Sequence, residues 1–187
     1  MATPNHTPLM EPLDQFTVTL YRIGLSIFAL SAILHVLELL SGAYFMGKWY
    51  LPLMAAGVAV ASANVHLYDP NFRWLFPQMS WIGFIILGFA MQIDSVEITR
   101  HFSMLSLGFF YAGAGMFAVK ESFCFKILGL QLVPFFLAGA VFLQWAAQDL
   151  AAGIILLPAA LLYLRLVYAK WTMPLHFDIG DKSAYKI

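Results

Sequence analysis

The sequence predicts an all-α, polytopic membrane helix bundle of about six transmembrane helices with both termini cytoplasmic. Three observations carry that expectation. The 187 residues are 61% hydrophobic and 11% charged, with a mean hydropathy of +0.80. A soluble domain carries about 25% charged residues, so this chain has too little charge to solvate a globule. Several apolar runs reach the roughly 18 residues that mark a membrane span. The basic residues are also divided unevenly. Arg22, Arg73, Lys120, Lys126, Arg165, Lys170, Lys182 and Lys186 fall on the side of the two tails and the second and fourth loops, against Lys48 and Arg100 on the other. Basic residues stay on the cytoplasmic side, which sets the orientation and favours an even number of spans.

The elements follow in chain order. Residues 1–15 read as a flexible N-terminal tail, with Pro4, Pro8 and Pro12 and no Lys or Arg. The positive start and short apolar core of a secretory signal are missing. Residues 16–170 form the six-helix transmembrane domain, with helices expected over about Phe16–Leu40, Trp49–Leu67, Gln78–Gln92, Phe102–Ala118, Phe125–Ala147 and Asp149–Tyr168. Pro77 and Ser80 crowd the start of the third, while Pro134 and Pro158 lie inside the fifth and sixth. Connections are short, so successive helices should pack as antiparallel neighbours. Residues 171–187, WTMPLHFDIGDKSAYKI, turn polar and form a cytoplasmic tail on or near the surface. The two three-helix halves show no internal repeat of the kind that inverted-repeat transporters carry.

Small residues mark the expected packing faces, because helices in lipid associate through close backbone contact and polar pairs. Gly57 and Ala61 in helix 2 and Gly108 and Ala112 in helix 4 have small-xxx-small spacing. These faces serve internal packing or a partner protein, with internal packing favoured.

The first polar constellation is SAILHVLELLSG, Ser31 to Gly42. At 100° per residue, Gly24, Phe28, Ser31, His35, Glu38 and Gly42 share one stripe, with Arg22 and Ser26 opposite. Glu38 falls near the membrane boundary, and Arg100 and His101 begin helix 4 on the same side. The favoured reading is a structural polar pair, Glu38 with Arg100, and a His35 hydrogen-bonded between helices. A cofactor-binding reading assigns His35, with or without His101, as an axial ligand to haem iron or chlorophyll magnesium. A proton or ion path is the third reading. On the other side, KESFCFK, Lys120 to Lys126, makes a turn at headgroup level. Cys124 and His66 lack the clustered spacing of a zinc site, so a buried thiol is expected instead.

No catalytic motif stands out: HExxH, GxSxG, the Walker loop and the dinucleotide fingerprint are all absent. No metal site and no catalytic residue is assigned, and nothing suggests nucleic acid. FTVTLYRIGLSIF, KESFCFK and PLHFDIGDKSAYKI resemble a family of uncharacterised multi-pass membrane proteins of cyanobacteria and other bacteria. The resemblance covers nearly the whole chain and implies an integral protein of the plasma or thylakoid membrane, with no functional residues to carry over. The expected function is therefore non-enzymatic: an accessory, assembly or scaffold factor of a larger membrane complex, partnered by lipid and other subunits. A small-solute or ion transporter, with Glu38, Asn64 and Gln131 lining a path, is the alternative. A haem- or chlorophyll-binding protein is the second.

Overall fold

The computed structural model describes residues 10–43, 49–67 and 69–179, and its described residues form six α-helices. The first, α1 (Pro12–Ser41), begins ahead of the apolar run. Pro12 in the first turn has its φ already set for a helix and no N–H to satisfy. The Asp14 carboxylate accepts from the Glu11 N–H at 2.8 Å, which fixes the start. Residues expected in the flexible tail thus belong to the helix. At the other end Gly42 takes a left-handed φ of 66°, a conformation that glycine adopts freely.

After α2 (Tyr50–Asn64), the chain enters α3 (Pro70–Ala90) eight residues before the expected Gln78. Its N-cap Asp69 accepts from Asn71 N–H at 2.9 Å. That start signal outweighs Pro77, which is accommodated inside the helix. Next, α4 (Val96–Ser122) extends beyond Ala118 to take in Lys120 and Glu121. The expected fifth helix is shorter. Gly129, with φ 88°, and a 3-10 turn over Leu130–Leu132 precede α5 (Val133–Trp145). Pro134 therefore lies in the first turn of α5, where a proline costs no hydrogen bond. It does not break a helix at mid-membrane. Pro158 remains inside α6 (Asp149–Thr172), and a second 3-10 turn, Leu175–Asp178, follows.

Among the described residues three helices, α1, α4 and α6, are long and apolar enough to cross a membrane; α2 and the Leu130–Trp145 segment are shorter apolar helices. The 15 residues of α2 rise about 22 Å, less than a hydrocarbon core of about 30 Å.

Sequential helices pack side by side, and α1 also packs on α6, which closes the ring. The α1–α2 contact is the tightest. A Cβ on Gly24 would sit 2.5 Å from the Ala61 nitrogen, and one on Gly57 would sit 2.7 Å from the Phe28 nitrogen. The two backbones touch, as the small-residue face of α2 predicts. Across the interior, α1 reaches α4 through large rings. Phe28 packs edge-on to Tyr111 and Tyr163, and Tyr21 packs edge-on to Phe117.

Candidate functional site

At the end of the bundle where α1 starts and α6 finishes, five charged side chains and a tyrosine are packed together. Tyr21 and Arg22 come from α1, Lys120 and Glu121 from the last turn of α4, Lys170 from α6 and Asp178 from the terminal 3-10 turn. Glu121 is the hub. Its Oε1 accepts from the Tyr21 hydroxyl at 2.6 Å and from Lys120 Nζ at 2.8 Å, and its Oε2 is 2.7 Å from Lys170 Nζ. Lys170 also pairs with Asp178 Oδ1. Asp178 Oδ2 accepts from Arg22 Nε at 2.8 Å and contacts NH2 at 2.6 Å. The guanidinium fork is completed by the Met173 carbonyl at 2.9 Å and the Pro174 carbonyl at 3.0 Å. The Lys120 and Lys170 ammonium groups lie 4.9 and 5.3 Å from the centre of the Tyr21 ring, so its π face adds to the cradle.

Burial makes this cluster consequential. The Arg22 and Lys170 side chains are 2% exposed, Glu121 is fully buried, and Lys120 is 18% exposed. Charges taken out of water this completely are held only by close opposite charges and hydrogen bonds.

The cluster adds to the sequence reading at three places. Arg22 lies opposite the His35 stripe, yet it is buried, because α1 packs on α2 along one face and on α6 along another. KESFCFK is not purely a headgroup-level turn: Glu121 ends inside the bundle, while Cys124, expected as a buried thiol, is exposed. In the described part of the tail, residues 171–177 are exposed or half-buried, but Asp178 and Ile179 are buried where the turn folds back over Arg22. In sequence, the available signal was an arginine set inside an apolar run, with no partner on its own helix.

At the opposite end of the bundle lies His35, also 2% exposed. Its Nε2 is 3.0 Å from Gln144 Oε1 on α5, and its Nδ1 is 3.0 Å from the Tyr111 hydroxyl on α4. The Gln144 amide nitrogen donates to the Ala140 carbonyl at 3.3 Å, which leaves its oxygen to face the histidine. The network therefore assigns the Nε2–H tautomer, with Nδ1 accepting from the tyrosine. The Tyr50 ring stacks on the imidazole at 4.3 Å between centroids. His35 thus joins α1, α2, α4 and α5. Both ring nitrogens are engaged in this arrangement. His101 is exposed; its Nδ1 lies 2.8 Å from the Glu97 carbonyl and its ring stands edge-on to Trp145.

The cluster holds four ion pairs among the described residues, and the expected Glu38–Arg100 pair lies at the other end of the bundle from them. Arg100 donates to the Gln144 backbone carbonyl at 2.8 Å, near the end of α5. Glu38 itself is buried, as are Gly24, Phe28, Ser31 and His35 of its stripe, while Gly42 at the helix end is exposed. Of the residues named for a transport path, Glu38 lies at the His35 end and Asn64 and Gln131 at the ionic end. Lys48, Lys182 and Lys186, used in the charge count, are outside the described residues.

The comparisons bear on what such a bundle is. The family described as "Uncharacterized integral membrane protein (DUF2301)" matches residues 60–187. The chain belongs to the DUF2301 family. An "Uncharacterized protein" of Haemophilus influenzae is 34% identical to this DUF2301 protein over 192 residues, covering all of both chains. No solved structure matches it. The DUF2301 protein is an integral membrane protein, and the three stretches that carried the resemblance meet in space. Tyr21 and Arg22, Lys120 and Glu121, and Asp178 are the residues through which FTVTLYRIGLSIF, KESFCFK and PLHFDIGDKSAYKI touch.

Proposed function

We propose that this DUF2301 protein is a non-catalytic subunit that assists or scaffolds a larger membrane complex, in the plasma membrane. One observation carries the reading. The small-residue face of α2 is consumed by α1, but that of α4 is not. Gly108 has its nearest neighbour, Val141 Cγ1, at 3.9 Å from an added Cβ, and Ala112 is exposed. Both line an almost wholly apolar groove of about 640 Å³ between α3, α4 and α5, with Ala138, Phe76 and Phe142 among its walls. A small-residue stripe lets another helix approach closely, and among the described residues no helix is seated on this one. The bacterial relative favours the plasma membrane, and nothing supports the thylakoid alternative.

The test places a photo-crosslinking residue at Ala112 in native membranes. The expected product is a discrete adduct with one membrane protein, lost when Gly108→Leu fills the groove. Adducts with lipid alone, or a strictly monomeric particle in mild detergent, would overturn the reading. Ion movement is a second reading, favoured by the buried charges around Glu121. Vesicles containing Glu121→Gln should then lose flux of a named ion that wild-type protein carries; absence of any wild-type flux removes it.

A further inference from the structure

The ionic cluster can be divided into a part held by the transmembrane helices and a part supplied by the tail. The helices contribute Arg22, Lys120 and Lys170 against Glu121, three positive charges to one negative, or +2. Asp178 from the terminal turn reduces this to +1. The helical part is therefore a buried anion site whose anion arrives from elsewhere in the chain. Its geometry suits an oxyanion. Arg22 directs Nε and NH2 at one carboxylate oxygen, and Lys170 directs Nζ at the other. A planar fork beside a point charge binds carboxylate and phosphate by the same contacts.

The tail's described contacts with this site centre on the guanidinium and ammonium groups. Asp178 makes the charged contacts, the Met173 and Pro174 carbonyls cap the same guanidinium, and Ile179 is the buried apolar residue beside them. Phe177 remains 46% exposed. Trp171, which is half exposed and donates to Ser26 Oγ at 3.0 Å, marks the level at which tryptophans meet headgroups. The site thus lies within reach of lipid phosphates. Exchange of one bound anion for another keeps the buried charge balanced, whereas simple departure of Asp178 does not.

We propose that Arg22 and Lys170 form a binding site for a phosphate-bearing anion, which Asp178 fills as a tethered carboxylate and releases on exchange. The proposal is independent of the groove on α4. It is tested with the full chain in phosphatidylcholine vesicles by amide hydrogen exchange of Met173–Ile179, with phosphatidylglycerol or inorganic phosphate added separately. Exchange should rise roughly tenfold when the tail is displaced. A response to phosphatidylglycerol alone identifies the headgroup as the source, and a response to both identifies the free ion as sufficient. Asp178→Asn should retain more phosphatidylglycerol in native mass spectrometry than wild type, and adding Arg22→Gln should abolish that gain. Asp178→Glu should behave as wild type. Two results overturn the proposal: exchange unchanged by either anion, or Asp178→Asn retaining no more lipid than wild type. Should Asp178→Asn fail to fold, the exchange measurements on wild type and Asp178→Glu decide alone.

Discussion

Replacing Glu121 with glutamine keeps the shape of the side chain and removes its charge. At an effective dielectric of about 20, each cation held about 2.7 Å from the carboxylate contributes about 6 kcal/mol of gross attraction. Glutamine forfeits that attraction to Lys120 and Lys170 while both cations remain where they are. It also replaces the charged acceptor of the Tyr21 hydroxyl with a neutral one. Much of the gross attraction offsets the desolvation of the ions, so the net cost is that of breaking a buried pair, about 3–5 kcal/mol. For a chain of this length each kcal/mol moves the midpoint by roughly 2–4 °C, giving a fall of about 6–20 °C. The assay is thermal unfolding in mild detergent, followed by the loss of the monodisperse peak on size exclusion. The double variant Glu121→Met with Lys170→Met removes both partners, and it should recover part of the loss, since apolar replacement of a buried pair is often neutral. A fall of under about 3 °C for Glu121→Gln, or a double variant worse than the sum of the singles, would refute the reasoning.

Three further outcomes are expected. Gly57→Leu drives a side chain into the backbone of Phe28 and should prevent recovery of folded protein, whereas Gly88→Ala, with open space around it, should express and melt as wild type. His35→Leu removes the partner of both Gln144 and Tyr111 and should cost about 2–6 kcal/mol, from two buried groups at about 1–3 each. His35→Gln, which can still donate to one of them, should lose less on the same thermal assay. Trp171→Phe removes an exposed hydrogen bond to Ser26 and should lower the midpoint by only about 1–4 °C, so a larger fall would mean that this corner is more tightly packed than described.

The helices were legible because they rest on local signals. Apolar run length located all six, and the 3.6-residue period placed Gly24, Phe28, Ser31, His35 and Glu38 on one face of α1, all of which are buried. Errors arose where a short-range signal competed with another. The Asp69 cap started α3 despite Pro77, and Gly129 with Pro134 delayed α5. The ionic cluster was harder to read for a different reason. Tyr21 and Glu121 are 100 residues apart, and Arg22 and Asp178 are 156 apart. Lys120, Glu121 and Lys170 sit near helix ends, where a charge alone is well explained by water and headgroups, and Arg22 shows no partner within its own helix. Their burial follows from ring closure between α1 and α6 and from the tail folding inward, and neither leaves a periodic trace. His35 shows the intermediate case. Its place on a contact face was readable, but its partners on α4 and α5 depended on which helices stand opposite.

The separation of Arg22 from Asp178 also sets a schedule for biosynthesis. Ribosomes add about 5–20 residues per second, so 156 residues separate the two ends of this pair by about 8–31 s. Throughout that interval α1 is already made while the carboxylate that neutralises its arginine does not yet exist. A nascent chain must hold that cation at the lipid headgroups, or against the insertion machinery, until its last segment emerges. Premature termination anywhere before Met173 would leave that arginine without the two carbonyls and the carboxylate that hold it in the finished chain.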